Sequence, residues 1–235
     1  LNVDPGQTVY FEWGVVRITA TIVYTWITMG ILAAASFLLT RKLSEGRDVS
    51  KGQIVLEAFM ETMETQIREI SRQDSDRFIP FVGTLFLFIL VSNLLSVVPG
   101  YRPPTGSLNT TIALSVCVFL SVPFFGIRSK GVKEHLKSYL KPTPLMLPFN
   151  IIGEISRTVS LAVRLYGNVM SSSMIGAILL TIVPLVFPVI MQVLGLLTGV
   201  IQAYIFAILA IVYISSASQA PKREGDEPEE IERRQ

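Results

Sequence analysis

Long apolar runs divide this sequence, at residues 14–39, 78–98, 108–127, 145–183 and 185–216. A compact soluble core cannot bury so many in succession, whereas a run of roughly 20 apolar residues crosses roughly 30 Å of hydrocarbon as a helix. Composition agrees. Half of the 235 residues are hydrophobic and only 16% are charged, against about a quarter charged in an ordinary soluble domain. The expected fold is therefore an all-α integral membrane protein, a single membrane domain over residues 1–220 with about five membrane-embedded helices. The segment before residue 14 reads as polar, with a turn at Asp4-Pro5-Gly6 and no basic stretch followed by a short apolar core. The tail 221–235 is charged and contains Pro and Gly, a composition expected to stay disordered.

Between the first two runs, Ile54, Phe59, Met63, Ile67 and Ile70 recur at helical spacing among Glu57, Glu61, Glu64 and Arg68. This predicts an amphipathic surface helix over about 51–72. Basic residues concentrate in segments 40–77 and 128–144 and in the C-terminal tail, while the alternate connections hold only Arg102. By the positive-inside rule the N-terminus lies outside and the C-terminus in the cytoplasm, which suits a bacterial plasma membrane. The last two runs pose a length problem. As single helices, 145–183 and 185–216 would extend about 58 Å and about 48 Å at 1.5 Å per residue. Without internal breaks they predict a long hairpin, about 145–216, tilted far from the membrane normal against a large curved partner. The Pro184/Pro188 region is the strong breaker between them.

Chemistry concentrates in the fourth run. Arg164 lies near its middle, where an arginine costs about 2.5–3.5 kcal/mol on insertion scales and cannot escape by losing its proton. It therefore faces a partner or a water-filled cavity, or else pairs with Glu154 or snorkels. Asn150, Glu154, Arg157, Arg164, Asn168 and Ser171/Ser172 follow three-to-four spacing and make one face of this helix polar. Gln202 sits midway along the next run, with Thr198 and Tyr204 nearby, and reads either as a site residue or as an interhelical hydrogen bond. The chain has one cysteine, Cys117, expected as a small core residue, and one histidine, His135, in a basic loop. That leaves no disulfide within the chain and little material for a metal site or a Cys/His nucleophile. Before any likeness is considered, a small secondary transporter binding an anionic substrate at Arg164 is the alternative to a channel subunit, although such folds usually carry internal repeats and none is visible.

The runs Pro142-Thr143-Pro144-Leu145-Met146-Leu147-Pro148-Phe149-Asn150-Ile151-Ile152, Arg164-Leu165-Tyr166-Gly167-Asn168 and Gln202-Ala203-Tyr204-Ile205-Phe206 together resemble subunit a of the rotary F-type ATP synthases. Phe88-Ile89-Leu90-Val91-Ser92-Asn93-Leu94-Leu95 with Pro99-Gly100, and Pro104-Thr105 with Leu108-Asn109-Thr110-Thr111, fit the same family upstream. The resemblance implies a stator ion-channel subunit with no active site and no cofactor of its own. It implies as partners a ring of c subunits, each with one membrane carboxylate, peripheral-stalk b subunits and the lipid membrane, and no nucleic acid. Two half-channels would pass protons, or sodium, to and from the ring, with Arg164 between them. Asn168 and Gln202 match polar residues flanking the family's arginine. Asn150 and Glu154 fall on the cytoplasmic half-channel, with an Arg157–Glu154 pair as the structural alternative. Ser171, Ser172, Ser173 and Gln192 fall on the outer one, where the serines could equally serve close helix packing. Asn93 and Asn109 are channel-wall or loop-anchoring candidates. Many relatives place a glutamate nine positions after the arginine, where this chain has Ser173. That departure leans toward sodium, or toward a side branch such as the N-type ATPases.

Overall fold

The computed structural model describes residues 9–13, 16–40, 57, 61–62, 64–66, 68–69, 78–98, 100–132, 146–182 and 187–218. The loop holding His135, the Pro142–Pro144 motif, the Pro184 break and the C-terminal tail lie outside the described residues. Two short strands, β1 (Val9–Trp13) and β2 (Val16–Thr19), precede five long helices. These are α1 (Ala20–Thr40), α2 (Ile79–Leu94), α3 (Leu108–Lys130), α4 (Met146–Ile182) and α5 (Phe187–Ser218). Short 3-10 turns at Leu95–Val97 and Pro104–Gly106 shape the connection from α2 to α3.

The strands shorten the first expected span. β1 and β2 pair antiparallel, with Glu12 opposite Arg17 and Trp13 opposite Val16, so the helix starts at Ala20 rather than near residue 14. Val-Tyr-Phe-Glu-Trp and Val-Arg-Ile-Thr are rich in β-branched and aromatic residues, which favour an extended backbone over a helix start. Apolarity alone did not distinguish the two.

Among the described residues, α1, α2, α3 and α5 are long and apolar enough to cross a membrane. The protein is an integral membrane protein. α4, which carries Glu154, Arg157 and Arg164, is not one of these; its packing against both α3 and α5 carries it into the same bundle. Both expected long helices run unbroken, α4 for 37 residues and α5 for 32. At 1.5 Å per residue that is about 56 Å and about 48 Å, so straight helices held within about 30 Å of hydrocarbon must lean strongly.

α5 forms the centre. Ala203, Phe206, Ala207, Ala210, Ile211 and Ile214 are buried, a helical three-four repeat that faces α2 and α3. Its alanines let neighbouring backbones approach closely, the usual device where lipid removes the hydrophobic drive between helices. Phe78 and Phe125 meet edge to face at 5.0 Å and close the α2–α3 side. Cys117, expected in the core, is exposed. The inward face of α3 is instead Thr111, Ser115, Val118 and Val122, and Cys117 falls beside exposed Val116 and Leu120 on the other side.

α1 packs least, but polar contacts hold it. The Tyr24 hydroxyl donates to the Gly100 carbonyl at 2.9 Å. Thr28 donates to the Tyr24 carbonyl, so in the 2.7 Å Thr28–Tyr101 contact the phenol is the donor, a hydroxyl having one proton to give. Burial pushes the Tyr101 phenol above the usual tyrosine value. In the amphipathic segment Glu57, Glu61, Thr62, Glu64, Thr65, Gln66, Arg68 and Glu69 are helical and the intervening residues lie outside the described set. Arg68 pairs with Glu64 one turn away, and the Tyr204 hydroxyl donates to Gln66 Oε1 at 2.8 Å, tying this segment to α5.

Candidate functional site

Arg164 stands midway along α4, eighteen residues from Met146 and eighteen from Ile182. Leu161 and Leu165 turn into the bundle, at 2% and 0% exposure, while Val163 and Arg164 face out. Among the described residues none makes a hydrogen bond or ion pair with Arg164. Along α4 its neighbours are mixed: Val163 beside it is an exposed large hydrophobic, while Ser160, one turn before it, is also exposed. The alternative of an Arg164–Glu154 pair across ten residues is not realised; a separation of about 15 Å along the helix explains why.

Gln202 faces the other way. It is 4% exposed, and its Nε2 finds no partner among the described residues. A buried amide left unpaired costs about 1–3 kcal/mol, so this group either meets a partner absent from the isolated chain or carries the cost for function. Asn168, one turn beyond Arg164, is half-buried.

Toward the Met146 end of α4 a cleft of ≈ 320 Å³ opens between α3, α4 and the end of α5. Asn150, Glu154, Arg157, Thr158, Tyr213 and Ser216 supply its polar walls. The Arg157 guanidinium lies 5.4 Å from the centre of the Tyr213 ring, a cation–π contact that fixes it against α5. The structure thus gathers Asn150 and Glu154 as expected and adds Thr158, Tyr213 and Ser216. Their signal in the sequence was a polar residue or tyrosine in the last turns of an apolar helix, which alone singles out nothing.

Toward the other end the expected residues separate. Ser172 is half-buried, its Cβ 3.9 Å from where a Cβ on Gly195 would lie, so it sits in the α4–α5 seam. Ser171 and Ser173 are exposed, and Ser173 donates to the Val169 carbonyl of its own helix at 2.9 Å. Gln192 is exposed and donates to the Ser96 carbonyl at 3.0 Å. Asn109 is exposed. Asn93 is buried, donates to the Gly199 carbonyl at 3.1 Å and accepts from Thr105 at 2.8 Å. Thr105 falls within the Pro104-Thr105 likeness, which assigns it no role; Gly199 was not anticipated and carries no charge or motif to mark it.

A lone outward arginine on a helix with a polar stripe, a buried amide on the neighbouring helix and a charged cleft at one end restrict the possibilities. The family model described as ATP synthase A chain matches residues 22–215, which include Arg164, Gln202 and the cleft residues from Asn150 to Tyr213. The chain belongs to the ATP synthase A chain family. It is similar to ATP synthase subunit a 2 of Acaryochloris marina, 54% identical over 219 residues, 93% of this chain and 94% of that protein. It is similar to ATP synthase subunit a of Nitrosospira multiformis, 52% identical over 218 residues, 93% of this chain and 87% of that one. ATP synthase subunit a 1 of Chlorobaculum parvum is 52% identical over 223 residues, 95% and 99% of the two chains. The coverage extends from the first helix to the last, so the ATP synthase A chain likeness concerns the whole bundle rather than one motif. Nothing in the bundle or the likenesses favours a stand-alone transporter.

Proposed function

We propose that this chain is the stator ion-channel subunit of a rotary ATP synthase, passing protons or sodium through two half-channels to and from the carboxylates of a c-ring. The observation that carries the reading is Arg164, a permanent charge at the midpoint of α4, exposed and without a partner among the described residues. Facing lipid, that guanidinium would be costly; facing a ring carboxylate, it favours the ionised form and drives off the bound ion. A lysine there could lose its charge when desolvated, and an arginine cannot. The driving energy is the membrane field, about 2.3 kcal/mol per charge per 100 mV.

Arg164 separates the two paths. The cleft with Asn150 and Glu154 is the cytoplasmic half-channel, with Arg157 held on Tyr213 at its wall. Asn168, Ser172, Ser173 and Gln192 belong to the outer side, and Gln202 supplies a buried amide within the bundle on the neighbouring helix. Peripheral-stalk b subunits hold the chain against the turning ring, in a bacterial plasma membrane with the N-terminus outside and the C-terminus in the cytoplasm.

The test is Arg164→Ala in the assembled complex in membrane vesicles. Ion-driven ATP synthesis is expected to disappear while ATP hydrolysis by the soluble sector persists. Synthesis that continues with normal coupling sinks the reading.

A further inference from the structure

We infer that the turn Pro104–Gly106, locked by Asn93, is a spacer that sets the separation of α4 and α5 just outward of Arg164 and Gln202. The inference rests on the two-half-channel reading and names a positioning element for its outer path.

Three contacts define the spacer. The Thr105 hydroxyl, fully buried, donates to Asn93 Oδ1 at 2.8 Å. Asn93 Nδ2 donates to the Gly199 carbonyl at 3.1 Å. That carbonyl can only accept, so the amide has one workable orientation and uses both ends at once. The third contact is on α4: a Cβ on Gly106 would lie 3.3 Å from Val169 Cγ1. The turn therefore touches α4 at Val169 and, through Asn93, α5 at Gly199. Val169 is five residues beyond Arg164 and Gly199 three before Gln202, roughly 7.5 Å and 4.5 Å along the helix axes. Both bearing points sit about one turn outward of the site.

The fit is tight on the α5 side. A Cβ on Gly199 would come within 2.9 Å of Asn93 Cβ and 3.2 Å of its Cγ and Nδ2. Only glycine lets the amide reach the backbone. Two turns earlier on α5, Gln192 Nε2 donates to the Ser96 carbonyl at 3.0 Å, and Ser96 donates to the Asn93 carbonyl at 2.6 Å. The end of α2 is thus fastened to α5 at two levels, both outward of the arginine. In the inner cleft the α4–α5 tie is of another kind, the Arg157–Tyr213 cation–π contact, so loosening the turn acts first on the outer path.

The experiment replaces Asn93 with leucine in the complete complex, reconstituted in vesicles. Ion-driven ATP synthesis is followed against ion concentration on each side separately. The half-saturating concentration on the side of residues 98–107 is expected to rise about tenfold, with the maximal rate and the opposite side changed less than about twofold, since a buried paired amide has been lost. Equal changes on both sides or no change, with the subunit still present in the complex, would each overturn the spacer. Should Asn93→Leu reduce subunit content, Thr105→Val, which keeps the Gly199 bond, carries the test with a one-sided shift of about threefold. If Arg164→Ala abolishes synthesis and these variants shift nothing, the spacer fails and the channel reading stands; if Arg164→Ala is harmless, the channel reading itself has failed.

Discussion

Toward the Met146 end of α4 the bundle leaves a charged cleft of ≈ 320 Å³ between three helices. Past the midpoint the same helix meets Thr105, Gly106 and the Asn93–Gly199 brace, with buried side chains and near-contact glycines. The first region has charge and space; the second has closed hydrogen bonds and no spare volume. A pair of helices that must keep one register against a moving partner can be loose at only one end. Space lets water and an acid–base group do the work in the cleft, and packing holds the geometry at the brace. The contrast therefore makes opposite demands on substitutions: volume should matter at the brace and charge in the cleft.

The largest effect expected from that contrast is at Gly199. A valine there drives a branched side chain into Asn93, already 2.9 Å from a bare Cβ position. Overpacking of this kind costs about 3 kcal/mol, and thermal unfolding of the detergent-solubilised subunit measures it. Unchanged stability would mean the brace yields easily and the contrast is false. In the cleft, Glu154→Gln preserves volume and removes charge. Ion-driven ATP synthesis should fall on the order of tenfold, the low side for losing a positioned acid–base group that water can partly replace, with the unfolding temperature nearly unmoved. A stability loss without a rate loss would make Glu154 a structural residue. Smaller again is Tyr101→Phe, which deletes the hydrogen bond to Thr28 but keeps the ring against Tyr24. About 1 kcal/mol of stability should go, with little effect on transport.

Much of the cleft was legible in the sequence because charge in an apolar run is conspicuous. Asn150, Glu154 and Arg157 stand out against their neighbours, and three-to-four spacing puts them on one face. The brace was legible at Asn93 and, through the Pro104-Thr105 likeness, at the turn. Gly199 acquires meaning only from a contact with Asn93, 106 residues away, which local pattern does not encode. The start of α1 was misjudged for another reason: Val16, Ile18 and Thr19 are apolar or neutral enough for a span, but their branched side chains suit the strand they form. Cys117 shows the limit of composition from the opposite side. An apolar run in lipid has an outward face that is as apolar as its core, so hydropathy cannot say which way a small residue points.

Ser173 gives the smallest effect and the sharpest reading of the outer end. The sequence offered it as a channel residue in place of a glutamate, yet its hydroxyl donates to the Val169 carbonyl four residues back. A serine bonded in this way is already satisfied within its helix and contributes little to stability. Ser173→Ala should therefore change stability by less than about 0.5 kcal/mol and leave ion-driven synthesis near its starting rate. Ser172 is the control, since it sits in the α4–α5 seam against Gly195. There alanine should also be mild, while valine, with two added carbons in the seam, should cost about 1–3 kcal/mol. A marked transport defect in Ser173→Ala alone would show the hydroxyl leaving its own helix to meet water or an ion. The outer path would then run along the exposed face of α4, away from the seam. Equal tolerance at both serines to alanine, with intolerance to valine at Ser172 only, would identify the pair as packing on one side and bare helix surface on the other.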